Sequence, residues 1–255
     1  MQADQGRVAV VTGGAKRIGR AIALGLARQG WDVVVHYGSS AQEAQQTCLD
    51  IAALGRRAHA IACDLGDEAQ VQTLLARAAA ALGPVTCVVN SASIFEFDDS
   101  ASFGHAALER HMRINVSAPL LLAQALHAAT PEGATSVCIN LLDQKLFNPN
   151  PDFLSYTLTK AALHSATTLL AQALAPRVRV VGVAPGITMV SGDQSADGFE
   201  KAHTVTPLGR SSTPDDIADA VCYAANARAV TGTTLLVDGG QHLLPLARDV
   251  MFLAK

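Results

Sequence analysis

The sequence is short of aromatic residues (4%, with one Trp, three Tyr and seven Phe) and short of charge (16%). Its 19 basic and 22 acidic residues leave a formal net charge of -3 with no basic run, which excludes nucleic acid as a main partner. No apolar run approaches the roughly 18 residues a membrane-spanning helix needs, because Lys, Arg, Asp, Glu or Gln interrupts every one. The start, Met1-Gln-Ala-Asp-Gln-Gly-Arg7, lacks the basic end and apolar centre of a secretory signal. Five cysteines (Cys48, Cys63, Cys87, Cys138 and Cys222) form no Cys-x-x-Cys pair, and eight histidines show no ligand spacing. Neither a disulfide framework nor a metal site is expected, and a reducing cytoplasm fits. No Pro/Gly/Ser-rich linker divides the 255 residues, so one domain spanning 1–255 is expected.

What is present is a rhythm, in a chain that is 49% hydrophobic. Short β-branched runs (Arg7–Thr12, Asp32–His36, Arg57–Ala62, Cys87–Asn90, Thr135–Leu141, Val178–Ala184 and Thr234–Val237) alternate with Ala/Leu-rich stretches of helical period. The helices are predicted over 17–29, 40–54, 67–82, near 103–129, 153–175 and 214–225. Continuous apolar strands separated by helices predict parallel strands buried on both faces. Right-handed crossovers then give an α/β, doubly wound parallel sheet of the Rossmann type. Residues 186–213, rich in Gly, Ser, Thr and Asp, break the rhythm and are expected to form a substrate loop. The apolar tail 241–255 is expected to pack on its own subunit or a neighbour.

Thr12-Gly-Gly-Ala-Lys-Arg-Ile-Gly19 lies between the first strand and the first helix. Glycines at such a turn let the backbone approach a pyrophosphate seated on the helix N-terminus. Arg17 stands where the spacing Thr-Gly-x-x-x-Gly-x-Gly has its middle glycine, and its guanidinium adds a phosphate contact. A site preferring NAD places Asp or Glu at the end of the second strand, and none occurs from Val33 to Gln42. His36, Ser39 and Ser40 are instead placed to bond a 2′-phosphate, with Lys16 and Arg17 supplying positive charge, unless they form an ordinary polar turn. NADP is therefore the expected cofactor.

Tyr156-Thr-Leu-Thr-Lys160 opens the long helix after the fifth strand. A separation of four puts phenol and ammonium on one helix face, and the ammonium is expected to draw the phenol toward ionisation.

Thr12-Gly13…Gly19, Asp64-Leu65, Asn90-Ser-Ala92, Asn115, Tyr156…Lys160 and Pro185-Gly186 occur in the order and spacing of a short-chain dehydrogenase/reductase, which the chain resembles over nearly its whole length. The resemblance implies Tyr156 as proton donor, Lys160 on the nicotinamide ribose, and Asn115 orienting Lys160 through water. It also implies Asp64 near the adenine, Asn90 near the adenine-side ribose, and Pro185-Gly186 bordering the nicotinamide. Two departures stand out. Asn-Asn-Ala-Gly appears as Asn90-Ser91-Ala92-Ser93, and the serine thirteen residues before the tyrosine is Asp143. A serine hydroxyl polarises a carbonyl, whereas a carboxylate opposes the charge that builds there. A carboxyl suits a substrate with ring N–H groups and a proton to be delivered to nitrogen.

With His36-Tyr37 and Asn90-Ser-Ala-Ser-Ile-Phe95, this combination resembles the pteridine reductase branch, which includes dihydromonapterin-type reductases. The resemblance makes Phe95 a platform for a flat ring; core packing is the alternative for Phe95, and capping of a loop or helix for Asp143. An Arg that often follows His-Tyr-x in that branch is Ser39 here. The catalytic set is then Asp143, Tyr156, Lys160 and Asn115, and the substrate set Arg17, Ser93, Phe95, Asp143 and Tyr156. The cofactor set is Gly13, Lys16, Arg17, Ile18, Gly19, His36, Tyr37, Ser39, Ser40, Asp64, Leu65, Asn90, Ser91, Ala92, Ser93, Tyr156, Lys160, Pro185, Gly186 and Ile187. Reduction of a pterin with NADPH is the function implied. The alternatives are a carbonyl reductase, such as a 3-oxoacyl-thioester reductase, and a non-catalytic NADP sensor. The family resemblance also implies a homotetramer.

Overall fold

In a computed structural model, which describes residues 7–190 and 196–253, each apolar run becomes one strand of a single sheet. The strands are β1 (Val8–Val11), β2 (Asp32–Tyr37), β3 (Ala58–Ala62), β4 (Val85–Asn90), β5 (Ser136–Leu141), β6 (Val178–Pro185) and β7 (Thr234–Val237). All pairings are parallel, in the order β3-β2-β1-β4-β5-β6-β7. The helices are α1 (Arg17–Arg28), α2 (Ala41–Ala53), α3 (Glu68–Leu82), α4 (His105–Met112), α5 (Ala118–Ala129), α6 (Leu154–Ala173), α7 (Ala196–Thr204), α8 (Pro214–Asn226) and α9 (Val250–Leu253). This is the doubly wound α/β fold expected from the rhythm.

The absence of a polar alternation in the strands has a direct cause. Ala9, Val11, Val33 and Val35 pack under α1 and α8, against Ile22, Leu26, Ile217 and Val221. Their neighbours Val8, Val10, Val34 and Val88 face the other way, onto Leu74, Leu122 and Leu126 of α3 and α5. Side chains alternate between faces, and here both faces are core. All five cysteines are free thiols. Among the described residues no helix is long and apolar enough to cross a membrane.

Chain order reverses between β1 and β4, and a doubly wound sheet opens its binding crevice at the carboxyl ends of the strands at such a point. Three local features shape that crevice. The helical stretch expected near 103–129 is interrupted by a π-helical segment, Arg113–Ser117, between α4 and α5, a form that recurs at functional sites. The segment 186–213 is not all loop, since it contains α7; its residues 191–195 lie outside the described residues. In the tail, a 3-10 turn (Gln241–Leu243) and α9 fold back over the crevice, with Phe252 against Phe97 and Phe153; the tail's last two residues, and the side chains of Met251 and Leu253, fall outside the description.

Candidate active site

The loop from β1 to α1 is built to admit an anion. Gly13 takes a left-handed φ of +63°, and a Cβ on Gly19 would sit 2.1 Å from the Gly13 carbonyl oxygen, so neither position has room for a side chain. Arg17 takes a φ of +55°, the conformation a glycine adopts without strain, which accounts for a glycine being the usual residue there. Lys16, at the N-cap of α1, makes no side-chain cap bond, and the first turn holds no acidic residue. The first-turn N–H groups therefore receive no side-chain cap from Lys16 and stand at the positive end of the helix, where an anion is favoured. The Arg17 guanidinium donates to the Val190 carbonyl at 2.8 Å, across the crevice. Thr12 Oγ1 accepts from the amides of Ser91 and Ala92, each at 3.0 Å, and so pins the end of β4 beside the loop. These residues fit a dinucleotide pyrophosphate.

At the end of β2 one expectation needs correction. His36 is 2% exposed, its Nδ1 accepts from the Gly13 amide at 3.0 Å, and its Nε2 faces the Cys63 carbonyl at 3.0 Å. Both ring nitrogens are engaged inside the protein, and burial pushes its pKa down, favouring the neutral ring. His36 therefore shapes the phosphate loop and is not placed to bond a 2′-phosphate. Ser39 is exposed, Tyr37 half-buried, and Ser40 caps α2 without a side-chain bond. Asp64 is exposed and holds the Gly66 amide at 2.8 Å, while Leu65 is buried in the core.

Asn90 needs the same kind of correction. It is 3% exposed, and its amide donates to Asn140 Oδ1 at 2.8 Å, with Cys138 Sγ at 3.3 Å. Asn140 donates in turn to Thr167 Oγ1 on α6 at 3.0 Å. Asn90 thus belongs to a buried polar ladder between β4, β5 and α6, not to the wall of a ribose site.

The chemistry lies at the end of β5. Tyr156 Oη donates to Asp143 Oδ2 at 2.8 Å, and Asp143 Oδ1 accepts from the Lys145 amide at 2.8 Å. Asp143 thus caps the 3-10 turn Gln144–Phe147 and holds the phenol at once. Lys160 Nζ donates to the Leu141 carbonyl at 2.7 Å and lies 5.6 Å from the Tyr156 ring centre. Asn115, inside the π-helical segment, accepts from the Ile94 amide (2.9 Å) and donates to the Ile94 carbonyl and Thr159 Oγ1, both at 3.1 Å. It therefore fixes the Ser93–Phe95 segment and the turn of α6 next to Lys160.

Electrostatics reverses the expectation that Lys160 acidifies the phenol. Burial, followed by the charge of Asp143 and the hydrogen bond to it, pushes the Tyr156 phenol well above 10. Burial also raises the Asp143 carboxyl above the usual carboxylate range and pulls the Lys160 ammonium down to about 8, against the opposing pull of Asp143. Desolvation disfavours every charged form here, so the proton rests on the phenol, with Asp143 as its acceptor.

Phe95, Tyr156, Asp143, Lys160, Arg17 and Ser93 share one cavity of about 290 Å³, which Ser91, Pro185, Gly186 and Ile187 also line. Phe95 is 39% exposed; it stacks on Phe153 with ring centres 4.1 Å apart and presents Tyr156 with an edge contact at 4.7 Å. It is thus a cavity wall and not core. Met189 also lines the cavity, whereas Phe147 and Phe199 do not.

Sequence reasoning missed two groups. Asp98 is buried; it accepts from the Ser155 amide at 2.9 Å and from the Ser155 hydroxyl, and so anchors the first turn of the helix carrying Tyr156. Nothing separates it by pattern from its neighbours Glu96 and Asp99. Gln144, Lys145, Asp249 and Val250 also line the cavity; only the apolar tail hinted at the last of these.

A crevice at the switch point, a glycine-built phosphate loop and a Tyr–Lys pair beside it define a nucleotide-dependent oxidoreductase site. A family model described as enoyl-(acyl carrier protein) reductase matches residues 13–242. An uncharacterised oxidoreductase of Methylorubrum extorquens is 37% identical over 92% of this chain and 98% of its own. L-Rhamnose 1-dehydrogenase (NAD(P)(+)) of a Sphingomonas strain is 32% identical over 95% of this chain and 99% of its own. Among solved structures, FolM alternative dihydrofolate reductase 1 from Brucella canis, complexed with NADP, is similar with a TM-score of 0.87 and 36% identity, covering 93% of this chain and 95% of that one. The chain belongs to the short-chain dehydrogenase/reductase family.

Proposed function

We propose that this chain is an NADPH-dependent reductase acting on a pterin, taking a dihydropterin to its tetrahydro form. The observation that carries the reading is the 2.8 Å bond from Tyr156 Oη to Asp143 Oδ2. A ketone reductase wants a neutral donor at position 143; a carboxylate there fits a substrate that brings N–H groups and receives its proton on nitrogen. Support comes from Phe95, whose ring stands exposed at the cavity beside Tyr156, and from the likeness to a dihydrofolate reductase complexed with NADP.

The first-turn amides of α1, with Gly13, Lys16, Arg17, Ile18 and Gly19, would hold the pyrophosphate. Ser39 and Ser40, with no carboxylate from Val33 to Gln42, would take the 2′-phosphate. Lys160 would hold the nicotinamide ribose, with Ser91, Ala92, Pro185, Gly186 and Ile187 around the ring, and Asp64 toward the adenine. Bound NADPH supplies the hydride, to the carbon of a C=N bond. Tyr156 gives its proton to the nitrogen, and Asp143 orients the phenol and accepts from the substrate's N–H groups. Phe95 supports one face of the flat ring, and Ser93 and Arg17 border it.

Absorbance at 340 nm tests this, with purified protein, NADPH and either dihydrobiopterin or a 3-oxoacyl thioester. Pterin-dependent loss of NADPH is expected. Oxidation with the thioester alone would overturn the pterin reading in favour of a carbonyl reductase, and no oxidation with a broad panel would leave a cofactor-binding sensor. A homotetramer, in a reducing cytoplasm, belongs to the same proposal: Leu158 and Leu169 stand 47% and 63% exposed on α6, apolar surface that a second copy would cover. Sedimentation of the purified chain checks the assembly.

A further inference from the structure

Asp152 stands directly before Phe153, the N-cap of α6, and is 3% exposed. A carboxylate buried this far needs a compensating partner. Among the described residues, the hydrogen bonds to its side chain all come from the tail, 96 and 97 residues on. Arg248 donates to it through Nε at 2.8 and 3.0 Å, with an Nη 2.8 Å from Oδ1, and the Asp249 amide donates at 2.7 Å. The same guanidinium lies 4.9 Å from the Phe252 ring centre. Phe252 packs against Phe97 at 5.5 Å and Phe153 at 6.2 Å, and Phe153 stacks on Phe95 in the cavity wall. One salt bridge thus orders both a polar and an aromatic contact of the tail.

What this salt bridge places is a piece of cavity wall, since Asp249 and Val250 line the cavity beside Tyr156 and Asp143. The reacting groups are fastened by other means. Tyr156 is anchored through Ser155 to Asp98, Asp143 by the Lys145 amide, and Lys160 by the Leu141 carbonyl. The pyrophosphate turn is pinned by Thr12. Releasing the tail would therefore remove a wall and leave the chemistry and the phosphate loop in place.

We infer that Asp152 and Arg248 are positioning residues for the substrate: their salt bridge holds the tail at the cavity, so that Asp249 and Val250 form a wall against which the substrate packs. The inference rests on the reductase reading of the same site. It extends that reading by assigning the tail to substrate binding and not to cofactor binding or proton transfer.

The test is steady-state kinetics of the full chain with NADPH and dihydrobiopterin, beside hydrogen exchange in tail peptides without substrate. Lost binding that is uniform along the reaction raises KM and spares kcat. Arg248→Gln and Asp152→Asn should each raise the KM for dihydrobiopterin about fivefold or more, with kcat and the KM for NADPH within about threefold. Groups that act through each other are non-additive, so the double variant should have a KM no higher than the worse single one. Exchange in the tail should quicken in Arg248→Gln. An unchanged KM for dihydrobiopterin in either single variant overturns the inference. So does an equal rise in both KM values, the mark of a general loss of structure, or a double variant whose effect is the product of the two. Unmoved tail exchange sinks the inference whatever the activity. If the wild-type protein oxidises no NADPH with the pterin while tail exchange does quicken, the reductase reading fails and takes the substrate role with it, leaving only a fastened tail.

Discussion

The Tyr156 hydroxyl and the Asp143 carboxylate, thirteen residues apart in the chain, meet at 2.8 Å because two different elements deliver them. Asp143 is held by its own capping bond to the Lys145 amide at the end of β5. Tyr156 is held one helical step past Ser155, whose amide and hydroxyl are both taken by Asp98. The phenol therefore arrives with its proton directed at an acceptor and with no water needed between them. A serine at position 143 would be a donor to substrate, and the aspartate turns the pair into an acceptor–donor relay.

Asp143→Ser is the sharpest mutational consequence. Positioned proton transfer contributes about 10²–10⁴-fold to rate, so kcat for the pterin should fall by about a hundredfold while NADPH affinity stays near wild type. A ketone substrate should turn over at least as fast as before. Parallel 340 nm assays with both substrates decide it, and an unchanged pterin rate would remove Asp143 from the chemistry.

The buried cation beside this pair sets an alkaline limit. Burial holds the Lys160 ammonium down to about 8, and the negative Asp143 works in the opposite direction. Above that pH the free enzyme loses the ammonium that would hold the ribose, so kcat/KM for NADPH, which reports the free enzyme, should fall as pH rises through about 8. Replacing Asp143 by Asn removes the charge that supports the ammonium. The alkaline limb should then move to lower pH. A limb that moves up, or stays, would show that the titrating group is not Lys160.

The sheet was legible because its strands are unbroken apolar runs buried on both faces, and a periodicity of that kind needs no tertiary knowledge. Residue types at Gly13, Gly19, Tyr156 and Lys160 were legible for a related reason, since chemistry and spacing constrain them locally, whereas Asp143 was legible only through the family resemblance. Direction was not. His36 and Asn90 both sit at strand ends near the crevice, yet each turns its polar group inward to partners on other strands or the loops after them, which no local pattern reveals. The π-helical turn around Asn115 contains neither Gly nor Pro; its geometry goes with bonds to Ile94 and Thr159, 21 and 44 residues away. Asp249 lies at the cavity beside Arg248, which pairs with Asp152, 96 residues earlier.

The phosphate loop offers a test independent of catalysis. A methyl group at position 19 would lie 2.1 Å from the Gly13 carbonyl oxygen, a backbone atom with no freedom to yield. Gly19→Ala should therefore distort the turn that presents the α1 amides. Ligand at about a hundred times its Kd stabilises a protein by about 2.7 kcal/mol, so NADPH should raise the melting temperature of the wild-type protein and leave that of the variant unmoved. An equal rise in both would mean that the pyrophosphate sits elsewhere.

Asn90 separates a structural role from a cofactor role at one position. Its amide satisfies Asn140 Oδ1 in a site where Asn90 and Asn140 are 3% and 1% exposed. Removing one partner of a buried hydrogen bond strands the other, at about 1–3 kcal/mol. Asn90→Ala should lower the stability measured by urea unfolding by about that amount. The KM for NADPH should stay within about twofold, because the Asn90 side-chain amide is turned to Asn140 and Cys138. If the variant instead kept wild-type stability and lost NADPH affinity, the buried ladder from β4 to α6 would not be what holds this residue, and the ribose-side role implied by family resemblance would be restored.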